Sequence, residues 1–338
     1  MRSGPDRDGI NNSETTQREN GEKRMNQQIE QLIMEIKKAI KGKDEVICKV
    51  IMVILASGHI LLEDNPGLGK TTLAKSLAKA MCLDEDRIQF TPDTMPSDIV
   101  GYSILNKETN KMQFTKGPVF TNLLLADEIN RTSSKTQAAL LEAMAEGTVT
   151  AEGNTYKLPN PFITIATQNP ITSGGTQALP DSQLDRFMVK LSMGYPDVQS
   201  QMAMILEDHG GNPIDLINPV MNLEQLVAMR TQVAQTFISQ EVAEYISLLV
   251  DATRHHDKIE CGISPRGTKA FANLAKACAY MNGRNFVIPG DVSAVIFDVF
   301  MHRLVLTPSA RREKNAAENI VRDVLGQIKP PATTGARR

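Results

Sequence analysis

The stretch Asp64-Asn65-Pro66-Gly67-Leu68-Gly69-Lys70-Thr71-Thr72 has the residue types and spacing of a phosphate cradle. Gly67 and Gly69 let backbone amides approach phosphate oxygens with no Cβ in the way. The Lys70 ammonium would reach the β and γ phosphates, and the Thr71 hydroxyl would ligate Mg²⁺. The residues expected to hold nucleotide are therefore Asn65, Pro66, Gly67, Leu68, Gly69, Lys70, Thr71 and Thr72. Asp64 stands where the common pattern has glycine, a departure that leaves the phosphate-facing part intact. Further along, the apolar run Leu123-Leu124-Leu125-Ala126 ends in Asp127-Glu128. There Asp127 would hold the hydrated metal and Glu128 would orient and polarise the attacking water. Many strands end in an acidic residue, and a glycine-rich turn can be only a turn; it is the two motifs together, in this order, that point to phosphoryl chemistry.

Three more positions complete a candidate set. Asn169, in Thr167-Gln168-Asn169-Pro170, would place a polar amide at a strand end beside the cradle, where it can hold water or sense the γ phosphate; the alternative is a turn-forming Asn before Pro. Arg186, in Leu184-Asp185-Arg186-Phe187, is a candidate for the cation that a γ phosphate needs as charge builds on it; the alternative is a surface arginine paired with Asp185. Arg131 is a second candidate for that role. Arg266 follows Ser264-Pro265, which suit an N-cap and a first helical position, so it falls in the first turn of a helix and can reach toward a phosphate.

These residues need a scaffold that presents strand ends and helix starts along one edge. Short apolar strands are expected at His59–Leu62, Ile88–Phe90, Asn122–Ala126, Phe162–Ala166 and Phe187–Val189. Helices with apolar stripes alternate with them, one from about Asn26 to Ile40 and one from Ser134 to Ala145, the latter with Ser134 and Gln137 as a capping box. Continuous apolar strands between amphipathic helices predict an α/β fold, a five-stranded parallel sheet in an αβα sandwich. Two hairpins interrupt the scheme, at about 102–114 and 148–158, turning at Asn106–Asn110 and Glu152–Asn154. From about Asp197 the pattern is all-helical. The expected division is a polar tail over 1–24, a nucleotide-binding domain over 25–212, a helical lid over 213–328 and a loose tail over 329–338.

Composition bounds the function. Net charge is −2, the charged fraction 22% and the hydrophobic fraction 41%. With five tyrosines, ten phenylalanines and no tryptophan there is little to stack single strands on, so nucleic acid is not the expected partner. Cys48, Cys82, Cys261 and Cys278 are scattered and without clustered histidines, which predicts reduced thiols in a cytoplasmic protein. The longest apolar stretch, Val46 to Leu62, is interrupted by Lys49, Ser57, Gly58 and His59, so no membrane insertion is expected.

Taken in order, Pro-Gly-Leu-Gly-Lys-Thr, Phe-Thr-Pro-Asp with Pro-Ser-Asp-Ile, Gly-Pro-Val-Phe, Leu-Ala-Asp-Glu-Ile-Asn-Arg, Ala-Thr-Gln-Asn-Pro, Leu-Asp-Arg-Phe and Ser-Pro-Arg-Gly resemble the MoxR family of AAA+ ATPases. The resemblance spans about Asn26 to Thr307. It implies an AAA+ αβα domain with a C-terminal lid, and an ATP hydrolase using ATP and Mg²⁺ between the subunits of a homo-hexameric ring. It also implies Lys70 and Thr71 as Walker A, Asp127 and Glu128 as Walker B, Asn169 as sensor 1, Arg186 as arginine finger and Arg266 as sensor 2. In related branches the lid is repositioned, so Arg266 would act on its own or on a neighbour's ATP. By the same resemblance the work is chaperone-like maturation or assembly of protein clients, with a von Willebrand A domain partner. Rival readings are a GTPase, a small-molecule kinase, a DNA-acting motor and a nucleotide-gated scaffold with little turnover. Glu128 argues against the last, because a pure switch has no need of a water-activating carboxylate. Asn106-Lys107-Glu108-Thr109 lacks the Asp of a guanine-reading motif and precedes Walker B.

Overall fold

The computed structural model describes residues 25–332 apart from 109, 152, 171–177 and 207–210. The expected tail over 1–24, Thr109, Glu152 and most of 329–338 lie outside the described residues.

Two helices open the fold: α1 (Gln27–Ile36), capped by the Asn26 side chain, and α2 (Asp44–Leu55). Then come β1 (Ile60–Glu63), α3 (Lys70–Ala80), β2 (Glu85–Gln89), the short α4 (Pro96–Val100), and the hairpin β3 (Gly101–Asn106) and β4 (Lys111–Lys116). Next follow β5 (Leu123–Asp127), α5 (Ser134–Glu146), a second hairpin of β6 (Thr148–Ala151) and β7 (Asn154–Lys157), β8 (Ile163–Gln168), a turn of helix α6 (Asp181–Leu184), β9 (Val189–Leu191) and α7 (Val198–Leu206). The remainder is α8 (Leu223–Gln235), α9 (Gln240–Arg254), β10 (Ile259–Cys261), α10 (Pro265–Met281), α11 (Pro289–Phe300), β11 (Val305–Leu306) and α12 (Ala316–Gln327).

The five-stranded sheet runs β2-β5-β8-β1-β9, and its pairings are parallel. β5 shows why continuous apolar strands are needed. Leu123 and Leu125 pack into the core shared with α1, α2, α3 and the C-terminal helices, whereas Leu124 and Ala126 pack on the opposite face against Leu140, Leu141 and Phe90. The first core runs without a break from the sheet into the C-terminal helices, where Phe271 and Phe300 meet edge to face at 4.8 Å.

Several boundaries differ from the sequence expectation. The first helix ends at Ile36, with turns as far as Ile40. β2 begins at Glu85: it is an edge strand, and its polar Glu85, Asp86 and Arg87 carry no apolar signal. The last strand is Val189–Leu191, two residues beyond the expected run, because Phe187 turns into the core before pairing with β1 starts. Helix α5 is capped by Ser133, whose Oγ accepts the Thr136 amide; Gln137 lies inside and donates to the carbonyls of Ile129 and Thr132. The described C-terminal part is helical apart from the antiparallel β10–β11 ladder and a parallel bridge between Phe237 and Phe286.

The two hairpins touch. Phe114 of β4 stacks on Tyr156 of β7 with centroids 4.4 Å apart and planes 10° from parallel, and Phe120 meets both rings edge-on. Among the described residues no helix is long and apolar enough to cross a membrane.

Candidate functional site

Parallel strands β1, β5 and β8 end side by side, and the loop after β1 turns over their ends into α3. Gly67 and Gly69 have φ of +83° and +86°, values that a side chain at either position would strain, and a Cβ on Gly67 would meet nothing within 4 Å. The open side of this loop faces a cleft of about 430 Å³. Lys70, Thr71 and Thr72 line it from α3, Asp127 and Glu128 from the end of β5, and Asn169 from the end of β8. The sequence-predicted loop, carboxylate pair and amide are thus brought to one place.

Lys70 is buried, and its Nζ donates to the Asp64 carbonyl oxygen at 2.8 Å. Burial pushes its pKa down, against the pull of Asp64, Asp127 and Glu128. Asp64 itself explains its departure from glycine. Its buried carboxylate accepts hydrogen bonds from the Met193 amide at 2.6 Å, the Ser192 hydroxyl at 2.7 Å and the Gly194 amide at 3.2 Å. It clamps the start of the loop to the segment after β9, a role that glycine cannot fill.

The two carboxylates are held differently. Asp127 accepts the Thr167 hydroxyl at 2.6 Å on one oxygen and Arg87 at 2.7 Å on the other. Glu128 sits in left-handed backbone at φ 58°, its amide donating to Thr167 Oγ at 2.9 Å. That strained turn swings its side chain back over the cleft. Its carboxylate accepts from Arg131 at 2.7 Å and from Asn169 at 2.9 Å. Burial alone would raise the Glu128 pKa, but these donors outweigh it and hold the carboxyl below its usual range. Asn169 is fixed through Asn130, which donates to its carbonyl oxygen at 2.9 Å; the side-chain Oδ1 of Asn169 is buried without a partner.

Oxygen donors from Thr71 and Asp127 suit Mg²⁺, which keeps several waters and needs few protein ligands. Among the described residues no cluster of three His, Cys, Asp or Glu forms an all-protein cage. The positive-φ glycines of the open loop fit a nucleotide phosphate.

Arg186 and Arg266 are not in this cleft. Arg186 extends to α5, donating to the Leu141 carbonyl at 2.8 Å, and it does not pair with Asp185. Asp185 is taken by Arg303 and Ser264. Arg266 is exposed in the first turn of α10, which Ser264 caps. Arg131 is committed to Glu128.

Sequence reasoning missed Arg87, Gln89, Thr167 and the structural use of Asp64. Arg87 and Gln89 line the cleft from the edge strand, two residues apart on one pleat face, and Gln89 stands opposite Asp127 in the ladder. Two polar residues in alternation beside an apolar strand were the available signal.

Comparison with known proteins bears on the family. Residues 59–189 match the model of the ATPase family associated with various cellular activities (AAA), and residues 251–324 match the AAA lid domain. The chain is 42% identical to uncharacterized protein YeaC of Bacillus subtilis over 90% of this chain and 96% of that one. It is 36% identical to chaperone MoxR1 of Mycobacterium tuberculosis over 90% of this chain and 82% of that one. A crystal structure of a candidate ATPase from Cytophaga hutchinsonii superimposes with a TM-score of 0.83 at 37% identity, covering 90% of this chain and 95% of that one. With its parallel sheet, phosphate loop, paired carboxylates and helical lid, this chain belongs to the MoxR family of AAA+ ATPases.

Proposed function

We propose that the chain works as a homo-hexameric cytoplasmic ring that hydrolyses Mg²⁺-ATP between subunits and uses the cycle to remodel, mature or assemble protein clients. The observation that carries this reading is the split of the predicted site. Lys70, Thr71, Asp127, Glu128 and Asn169 share one cleft, while Arg186 and Arg266 stand outside it. Lys70 and Arg87 are the cations lining that cleft, and Arg87 is held by Asp127; a γ phosphate there needs further positive charge during cleavage, which in this reading comes from a neighbour.

In this scheme Lys70 leaves the Asp64 carbonyl for the phosphates, with the residues from Asn65 to Thr72 wrapped around them. Thr71 and Asp127 hold Mg²⁺, which when bound neutralises phosphate charge. Glu128, kept ionised by Arg131 and Asn169, orients the water, and the Asn169 amide holds Glu128 in place for it. Arg186 serves the next subunit's site, and Arg266 reports nucleotide state from the lid. The chaperone name of the Mycobacterium relative supports a protein client, and the family resemblance supports a von Willebrand A domain partner. The test is the mass of the Glu128→Gln protein in Mg²⁺-ATP together with the specific activity of the wild type on dilution. A six-subunit mass and activity that falls on dilution are expected. A monomer with undiminished activity at every concentration would refute the ring.

A further inference from the structure

The segment carrying Arg186 is gripped from the lid by one side chain. Arg303 follows α11 and is only 7% exposed. Its Nε donates to Asp185 Oδ1 at 2.8 Å, one terminal nitrogen donates to the Phe187 carbonyl at 2.6 Å, and the other to the Met188 carbonyl at 3.0 Å and the Val299 carbonyl at 2.6 Å. The residues on both sides of Arg186 are therefore tied to the end of α11. The second Asp185 oxygen accepts the hydroxyl of Ser264, which also caps α10 two residues before Arg266. The packing is close: a Cβ on Gly267 would lie 2.9 Å from Arg303 Cδ, so the residue after Arg266 must be small for the Arg303 stem to pass. A planar guanidinium with five donors suits this arrangement of a carboxylate and several carbonyls, and a lysine does not. Arg186 alone in the segment points the other way, to α5.

We propose that Arg303 is a positioning residue that fuses the Arg186 segment and the Arg266 turn into one rigid piece. A lid shift driven by a subunit's own nucleotide is thereby delivered as a shift of Arg186 toward the neighbour's site. Arg303 is not among the residues lining the cleft; it acts through Asp185 and the carbonyls of Phe187 and Met188. The inference rests on the ring reading above, in which Arg186 works in trans.

Subunit mixing tests it, with Arg303→Lys and, as a volume-conserving second variant that keeps a polar partner for Ser264, Asp185→Asn. Each variant should bind ATP within twofold of wild type by calorimetry, yet turn over at least tenfold more slowly on its own. Mixed with Glu128→Gln subunits, which bind nucleotide but do not turn it over, each should regain activity, because its intact loop can then receive an Arg186 delivered by the neighbour's own nucleotide, at about one in four interfaces of a random one-to-one ring. Mixed with Arg186→Ala subunits, neither should recover, since both partners fail on the same side of the interface. A merely structural defect would not be rescued by one partner and refused by the other. Turnover equal to wild type in both variants, lost ATP affinity, or no rescue by Glu128→Gln would overturn the proposal. The control is Arg186→Ala mixed with Glu128→Gln. If that pair is inactive, the trans reading falls; if it is active and the Arg303 and Asp185 mixtures are not, only the role of Arg303 falls.

Discussion

Asn169 Nδ2 donates to Glu128 Oε1 at 2.9 Å, so the amide at the end of β8 and the carboxylate at the end of β5 are joined before any ligand enters. Glu128 is thus oriented by its own chain, and its charge is what remains to act on water. Glu128→Gln keeps the volume and loses that charge. Nucleotide should still bind, while turnover should fall on the order of 10²-fold or more. Parallel calorimetry and phosphate-release assays separate the two, and near-normal turnover would assign the water to another residue.

Lys70 is the one lysine of the cleft and rests on the Asp64 carbonyl. Lys70→Ala removes a point charge from the phosphates, and ATP affinity should drop roughly tenfold or more. Because the Asp64 carboxylate is satisfied by Ser192, Met193 and Gly194 and not by Lys70, the loop should keep its shape. Unchanged affinity in a folded variant would remove Lys70 from the site.

Arg87 occupies an oxygen of Asp127 at 2.7 Å, where the expected metal also needs a ligand. The arginine side chain is 47% exposed, so the pair is weak and screened. Arg87→Met should lower the Mg²⁺ concentration that gives half-maximal binding of a fluorescent nucleotide, by about two- to fivefold. A higher Mg²⁺ requirement would show that Arg87 assists binding and does not compete with it.

His59 lies under the sheet end, its Nδ1 accepting the Thr164 amide at 3.1 Å and its Nε2 placed 3.1 Å from the Met144 carbonyl. Burial pushes its pKa from 6.5 down to about 4. The unfolded chain therefore takes up this proton near pH 6.5 and the folded one only near pH 4. Stability from this ring is complete above about 6.5 and is lost as the pH falls toward 4. His59 as a residue is only half-buried, so the contribution is about 1–2 kcal/mol. Urea unfolding at pH 5 and 7.5 should show that loss in the wild type and a smaller one in His59→Gln; equal losses would acquit the histidine.

The Phe114–Tyr156 stack makes the two hairpins one unit. Phe114→Ala should leave basal ATPase within about twofold, because the change is remote from the cleft. It should weaken stimulation by a client or partner, and Tyr156→Ala should do the same. Collapse of basal turnover in a folded protein, or intact coupling in both variants, would contradict a shared role.

The local parts of this protein were readable in its sequence. The cradle from Asn65 to Thr72 is set by glycines and a helix start within one turn of chain. Asp127-Glu128 is placed by the apolar strand before it, and Ser264 caps α10 through a bond three residues long. Alternation of apolar strands and helices likewise gave the parallel sandwich and its helical lid. What the tertiary structure decided are contacts between distant segments. The order β2-β5-β8 brings Arg87 and Thr167 to opposite oxygens of Asp127, each about forty residues away along the chain. Polar residues on an edge strand leave no hydrophobic period, so only the alternation of Arg87 and Gln89 marked this strand, and it did not give Asp127 as the partner. Arg303 and Asp185, 118 residues apart, meet only because one core joins the sheet to the C-terminal helices. Such a buried pair is fixed by the packing around it, which no window of neighbouring residues contains.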